Sequence, residues 1–241
     1  MKASLLLALI APLMPTLTMG LIGINWNMTN IPPAGLPDIT FPFSLIDTPH
    51  EVGYYFAQSI NFKNVAGVGY TGLQPRPDVD GKPMIHAKLF SYVPDSTSTD
   101  SNCTDGNPDG GEGVSCAVDF SGSYGPYAIE VRNANGTTWE GTVVDLDTNR
   151  RVHVGSFTLP EGTGGITGSQ VGYVEYYPWN TGVHKCADLP DTTGAFGVPQ
   201  TTVAKAVGIL SDAYEYGECV GEVGFLNTRT EKEVKINVGF K

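Results

Sequence analysis

Apolar and polar residues alternate along many short stretches of the chain, as they do in strands that bury one face. The clearest stretch is 84–93, where residues 85, 87, 89, 91 and 93 are apolar or small and share one face. Comparable stretches occur at 53–62, 67–74, 127–131, 138–145, 151–158, 171–177, 214–216 and 232–240. The pattern therefore predicts an all-β fold.

Turn signals lie between these stretches. Asp80-Gly81, Asn135-Gly136 and the stretch 147–149 are typical of hairpin turns. Apolar spacing over 201–214 fits a helix, but Gly208 weakens it, and a loop followed by a strand fits equally well.

The prolines of 21–49 predict an extended N-terminal segment with one edge strand. We see no internal repeat and no linker, so we expect one domain over 21–241. Its predicted architecture is a jelly-roll-like β-sandwich of two antiparallel sheets.

The first twenty residues are typical of a secretory signal. Lys2 precedes a short apolar run at 5–13, and small or polar residues follow up to Gly20. The run is shorter than the ~20 apolar residues that span a bilayer. We therefore expect a leader over 1–20 and an extracellular protein.

Three sequons and four cysteines agree with secretion. The sequons predict glycosylation at Asn27, Asn102 and Asn135. An even number of cysteines behind a leader favours disulfides, and four allow three pairings. We choose Cys103–Cys116 with Cys186–Cys219, because this pairing closes two local loops.

The composition narrows the classes of partner. The formal net charge is −11, which disfavours nucleic acid and anionic membranes as partners. Glycine and proline are abundant at 30 and 17 residues, which suits a turn-rich β-sandwich. The sequence does not indicate an oligomeric state.

An acidic loop between Cys103 and Cys116 contains part of a calcium-binding pattern. Asp105, Asn107 and Asp109 alternate ahead of Gly110, as ligands do at the start of such loops. The glutamate that completes the pattern is replaced by Cys116. No cofactor is expected apart from this calcium hypothesis, whose alternative is a solvated loop.

Gln74 and Arg76 form a second candidate site. A guanidinium and an amide beside a sheet face suit sugar hydroxyls or a uronate carboxylate. The alternative is a plain hairpin connection. Aromatic residues supply a third candidate, a platform on which sugar rings stack, although core packing is their commoner role. These residues are Tyr54, Tyr55, Tyr70, Tyr92, Trp139, Tyr173, Tyr176, Tyr177 and Trp179. We expect Tyr177 or Trp179 to be exposed.

Four elements together resemble an uncharacterised secreted family, the domain of unknown function 3472. They are Gly69-Tyr70-Thr71-Gly72-Leu73-Gln74, Leu89-Phe90-Ser91-Tyr92, Gly110-Gly111-Glu112-Gly113 and Val171-Gly172-Tyr173-Val174-Glu175-Tyr176. The resemblance covers about residues 50–180 and implies a β-sandwich of carbohydrate-related secreted proteins. It carries over no catalytic residue and directs attention to Glu112 and Glu175.

The leading hypothesis is a secreted protein that binds a polysaccharide or glycan. The candidate ligand-binding residues are Tyr70, Gln74, Arg76, Glu112, Glu175, Tyr177 and Trp179. One alternative is a jelly-roll polysaccharide lyase that uses Tyr70, Gln74, Arg76 and His86.

A glycoside hydrolase would instead need two facing carboxylates, nominally Glu112 with Glu175 or Glu130 with Glu140. A third class is a secreted interaction or effector protein. The sequence leaves open whether the protein is an enzyme.

Overall fold

A computed structural model describes residues 20–180 and 184–241. The expected leader therefore lies outside the described residues, except for Gly20, which begins the first strand. The strands are β1 (Gly20–Thr29), β2 (Asp38–Asp47), β3 (Tyr54–Ile60), β4 (Gly69–Val79), β5 (Lys82–Ser91), β6 (Cys103–Asp105), β7 (Val114–Ser121), β8 (Pro126–Asn135), β9 (Thr138–Asp145), β10 (Arg151–Thr158), β11 (Ser169–Tyr176), β12 (Thr192–Gly197), β13 (Val207–Glu215), β14 (Leu226–Arg229) and β15 (Glu233–Val238). Two single-turn 3-10 helices lie at Tyr177–Asn180 and Cys186–Asp188.

The strands form two antiparallel sheets. The first sheet has eight strands in the order β13-β1-β11-β3-β4-β5-β7-β6. The second has seven, in the order β10-β9-β8-β2-β12-β15-β14. The predicted two-sheet β-sandwich is confirmed.

The core lies between the sheets and is rich in aromatic rings. Trp26 of the first sheet meets Phe41 of the second edge to face, with ring centroids 5.4 Å apart. Phe56 and Phe196 also join the sheets, with tilted rings whose centroids lie 6.4 Å apart. Burying each such side chain contributes about 1.5–3 kcal/mol, so these contacts hold the sheets together.

The alternation that predicted β5 is confirmed. Ile85 and Leu89 are fully buried in the core, whereas His86 and Lys88 lie half-buried on the other face. The turn after β4 is the predicted hairpin, with Asp80 and Gly81 at φ values of 51° and 70°. Both values lie in the left-handed region that such tight turns require.

The expected N-terminal edge strand is wrong. β1 pairs with β11 on one side and β13 on the other, and β2 lies between β8 and β12. Both strands have apolar residues at every second position, and this periodicity outweighs their neighbouring prolines. The ambiguous stretch 201–214 resolves as a loop followed by β13.

Both predicted disulfides are present. Cys103 and Cys116 occupy directly opposed positions on β6 and β7. Cys186 and Cys219 join the second 3-10 helix to the segment after β13. Two disulfides fit a secreted protein. Within the described residues, no helix has the length and hydrophobicity to cross a membrane.

Candidate functional site

The outer face of the eight-stranded sheet, which points away from the core, carries a depression. Directly paired residues of neighbouring strands share a face. One such row runs across five strands as Tyr173, Ala57, Gly72, Lys88 and Ala117. Three of these five side chains are alanine or glycine, and Ala57 and Gly72 among them are buried, with the Tyr55 ring packed against Gly72.

A cleft of about 660 Å³ opens on this face. It is lined by residues of β3, β4 and β11, by the Cys103–Cys116 loop, and by the start of β1, the segment after β5, the first 3-10 helix and the segment after β13. Its lining residues are Gly20, Ser59, Tyr70, Tyr92, Asp109, Val171, Tyr173, Glu175, Asn180 and Tyr216.

Tyrosine rings dominate the cleft. Tyr70 meets both Tyr92 and Tyr173 edge to face, with ring centroids 5.5 and 5.6 Å apart. Burial raises the pKa of all three phenols. The hydroxyls therefore stay protonated at neutral pH and can donate as well as accept hydrogen bonds.

Glu175 brings a carboxyl group into the cleft from β11. Burial raises its pKa above the ordinary value, and the negative charge of Asp109 raises it further. A hydrogen bond from the Asn180 amide to Glu175 Oε1 and the positive charge of Lys88 act in the opposite direction. Since the net shift is upward, Glu175 keeps its proton to a higher pH than an exposed glutamate does.

Asp109 lies in the cleft, and this affects the calcium hypothesis. Asn107 Oδ1 accepts the backbone N–H groups of Asp109 and Gly111 at 2.9 and 3.1 Å, so the asparagine shapes the loop. Across the described ranges, no three acidic, histidine or cysteine side chains come together as a group that could hold a metal ion. The geometry gives Asp105, Asn107 and Asp109 no support as calcium ligands.

The fold brings together Gln74, Arg76 and Tyr177, but these side chains hydrogen-bond to one another and not to an open site. Arg76 donates to Gln74 Oε1 at 2.5 Å and to the Tyr177 hydroxyl at 2.8 Å. Gln74 is buried, and none of the three lines the cleft. The expected fork for a sugar is therefore an internal link between β4 and the end of β11.

Two further candidates do not reach the cleft. Trp179 is only 8% exposed, and it stacks on His184 with ring centroids 4.4 Å apart, so the expectation of an exposed Trp179 is wrong. Tyr177, the other residue that we expected to be exposed, is half-buried. Glu112 is exposed on the loop and does not line the cleft, so the pairing of Glu112 with Glu175 is also wrong.

The other nominal carboxylate pair belongs to the opposite sheet. Glu130 of β8 binds Arg151, and Glu140 of β9 binds Arg132. Both glutamates form ion pairs on the seven-stranded sheet, whereas the cleft tyrosines belong to the eight-stranded sheet. Among the glutamates singled out from the sequence, only Glu175 stands in the cleft.

The three sequons differ in their surroundings. Asn27 and Asn135 have exposed side chains, so both are accessible to a glycan. Asn102 is half-buried, and its Nδ2 donates to the His153 carbonyl at 3.2 Å. A glycan on Asn102 would replace that hydrogen bond. Glycosylation at the three positions stays a prediction.

Sequence reasoning did not single out five of the ten lining residues, among them Asn180 and Tyr216. Asn180 reaches Glu175 from the 3-10 helix that follows β11, and Tyr216 comes from the segment after β13. Asn180 lies in no alternating stretch or motif, and Tyr216 ends the short stretch 214–216, where nothing indicates a site, so only the folded chain reveals both. Tyr70 and Tyr173 were named from the sequence as aromatic residues, and Glu175 was named through the resemblance and the nominal carboxylate pair; strand pairing places them on one face of the sheet.

No protein-family model and no curated protein matches the chain. Among solved structures, scytalido-glutamic peptidase with a peptide-based transition state analogue aligns with a TM-score of 0.48 and 11% identity, over 92% of this chain and 98% of that one. SCP-B, a member of the eqolisin family of peptidases in complex with the tripeptide Ala-Ile-His, aligns at 0.41 and 9%, with the same coverage. The CBM2 module of Lactobacillus casei BL23 phage J-1 evolved Dit aligns at 0.29 and 9%, over 63% and 67%. At these scores and identities the similarities assign no function.

Proposed function

We propose that this protein is secreted and binds a glycan in the tyrosine-lined cleft. The observation that supports this proposal is the cluster of Tyr70, Tyr92 and Tyr173 rings beside the Glu175 carboxyl group. Sugar rings have an apolar face that packs on aromatic rings, and hydroxyl groups around the edge that need polar partners. The cleft offers both kinds of partner on a rigid sheet.

The volume and the polar groups suit a short stretch of polymer. The cleft volume of about 660 Å³ is in the range of pockets that hold small ligands. Ser59, Asn180 and the tyrosine hydroxyls supply neutral polar groups around the rings. Neutral groups of this kind bind sugar hydroxyls without the large desolvation cost of a bare charge.

A second candidate function, acid hydrolysis of the bound polymer, is favoured by the state of Glu175. A carboxyl group with a raised pKa can hold a proton and donate it to a leaving group. Asp109 supplies a second carboxyl group in the same cleft. In this reading Glu175 is the acid, and Asp109 orients water or steadies developing positive charge.

Binding is tested on a glycan array with the purified protein and two variants. Tyr70→Ala removes a ring from the cleft, and Phe240→Ala removes a ring that is 44% exposed near the end of the chain. The proposal expects binding to at least one glycan class, a loss of about tenfold in affinity for Tyr70→Ala, and no change for Phe240→Ala. An array on which the wild-type protein binds nothing refutes the proposal.

Hydrolysis is tested separately, at about pH 4 and about pH 7, where a raised glutamate pKa changes the protonation state. The substrates are polysaccharides that bind on the array and a denatured protein. Product release that falls in Glu175→Gln but persists in Glu112→Gln supports the hydrolase. If no product forms at either pH while binding is intact, the protein binds the glycan and does not hydrolyse it.

A further inference from the structure

A second depression lies beside the cleft on the same sheet face. It has a volume of about 320 Å³, and its lining includes His86, Lys88, Phe90, Asn102 and Pro108. Phe90 is the direct strand partner of Tyr70, which lines the cleft.

The Cys103–Cys116 loop lies between the two sites, and two consecutive residues of this loop line one site each. Pro108 lines the second depression, and the next residue, Asp109, lines the cleft. Tyr70 and Phe90 lie on neighbouring strands, which are about 4.8 Å apart, so the two sites are within reach of adjacent sugar units of one ligand.

Lys88 gives the second depression its charge. Its ammonium lies 5.0 Å from the centroid of the Phe90 ring and 6.0 Å from that of Tyr55. Its direct strand partners, Gly72 and Ala117, have no side chain long enough to cover it. The positive charge is therefore held over aromatic faces and stays open to the depression.

Nearby acidic groups do not neutralise this ammonium by contact. Within the described parts of the chain, no carboxylate oxygen lies within 4.0 Å of the Lys88 ammonium. Asp119 instead binds His86 Nδ1 at 2.7 Å, and Glu175 accepts from Asn180. Burial and the charge of Arg76 lower the pKa of Lys88, while the charges of Glu175 and Asp119 act in the opposite direction.

We propose that this second depression, the Lys88 pocket, binds an anionic substituent of the glycan, a carboxylate or a sulfate. The substituent belongs to the sugar unit next to the one over the tyrosines. This assignment rests on the proposed glycan binding and adds to it the chemical class of the ligand, an acidic polysaccharide with an uncharged ring in the tyrosine cleft.

The pocket itself is tested without any glycan. Sodium sulfate and sodium acetate are titrated into the wild-type protein, and the side-chain Cε–Hε NMR signals of the lysines are followed. The Lys88 signal is expected to shift and saturate with both anions, while Lys82, exposed at the β4–β5 turn, serves as the control. A Lys88 signal that moves no more than that of Lys82 overturns the proposal.

The link to the glycan is tested with a matched pair of oligosaccharides, a β-1,4-glucan oligomer and an oligomer of equal length in which β-1,4-linked glucose alternates with glucuronic acid. The wild-type protein is expected to bind the acidic oligomer about tenfold more tightly, which corresponds to about 1.4 kcal/mol. Lys88→Gln should remove this preference and leave the affinity for the neutral oligomer unchanged, whereas Lys82→Gln should keep it.

Two outcomes separate this assignment from the proposed function. Equal affinity of the wild-type protein for both oligomers overturns the Lys88 assignment and leaves glycan binding standing. A sulfate-induced shift of Lys88 with no binding of any glycan refutes the proposed function and with it the assignment of the pocket to a sugar substituent.

Discussion

Asp109 and Glu175 line one cleft, and the negative charge of Asp109 adds to burial in raising the pKa of Glu175. The two residues come from a disulfide-closed loop and from a central strand. The loop that carries Asp109 is therefore part of the electrostatic environment of the cleft.

Replacing Asp109 should change the titration of Glu175. Asp109→Asn removes a negative charge, so the pKa of Glu175 is expected to fall toward the ordinary glutamate value. The measurement is a carboxyl-carbon NMR titration of Glu175. Asp105→Asn, an exposed change on the same loop, is the control. If both variants leave the Glu175 titration at its wild-type midpoint, the two carboxyl groups do not interact.

The raised pKa of Glu175 should appear in the pH dependence of stability. Because the folded pKa lies above the unfolded value, near 4.3, the protonated carboxyl favours folding at low pH, and this contribution is lost as the pH rises through the folded pKa. Glu175→Gln cannot ionise. The free energy of unfolding of Glu175→Gln, measured with urea, should therefore increase relative to that of the wild type as the pH rises from about 4 to about 7. Parallel curves for the two proteins would contradict the raised pKa.

The Cys103–Cys116 disulfide should matter for both the loop and stability. Its sequence separation is 13, for which loop-closure entropy predicts a loss of about 3 kcal/mol in Cys103→Ala/Cys116→Ala. The loosened loop should also weaken the effect of Asp109 on the pKa of Glu175. The Cys186→Ala/Cys219→Ala variant, with a separation of 33, should lose about 4 kcal/mol and leave that pKa in place.

A buried amide in the core should reduce stability. Gln58 is fully buried opposite Gly172, and neither polar atom of its side chain has a hydrogen-bond partner in the part of the chain that the structure describes. Gln58→Met keeps the shape and removes the unsatisfied groups, so thermal unfolding should show a gain of about 1 kcal/mol.

Gln74→Met is the matched control for this change. Gln74 is also buried, but its Oε1 accepts from Arg76, so the same substitution should destabilise by about 1 kcal/mol. If both variants are more stable than the wild type, the burial of an amide lowers stability whether or not the amide has a hydrogen-bond partner.

Local sequence patterns predicted the sandwich and part of the cleft. The alternation of β5 placed Leu89 in the core, because side-chain direction in a strand follows a period of two, and the resemblance drew attention to Glu175, which lines the cleft. The pairing of Cys103 with Cys116 followed from their short separation. Strand burial and the pairing of nearby cysteines both depend on residues close together in the chain, so a sequence shows them directly.

The remaining features depend on contacts between distant segments. Arg76 of β4 donates to Gln74 and to Tyr177 of the first 3-10 helix, so its guanidinium links parts of the protein, and no local pattern shows the contact with Tyr177. Asp109 matches a calcium pattern in sequence, yet the fold turns it toward Tyr92 and Glu175. Trp179 follows two tyrosines and a proline that favour exposure, but His184 and Tyr176 cover it.

An NMR titration with a glycan that binds on the array tests glycan binding in the cleft most directly. The aromatic ring signals of Tyr70, Tyr92 and Tyr173 are expected to shift together and to saturate at one dissociation constant. The signals of Phe240, which lies outside the cleft, should stay in place. Saturable shifts confined to residues outside the cleft, with the three tyrosines unmoved, would contradict the account.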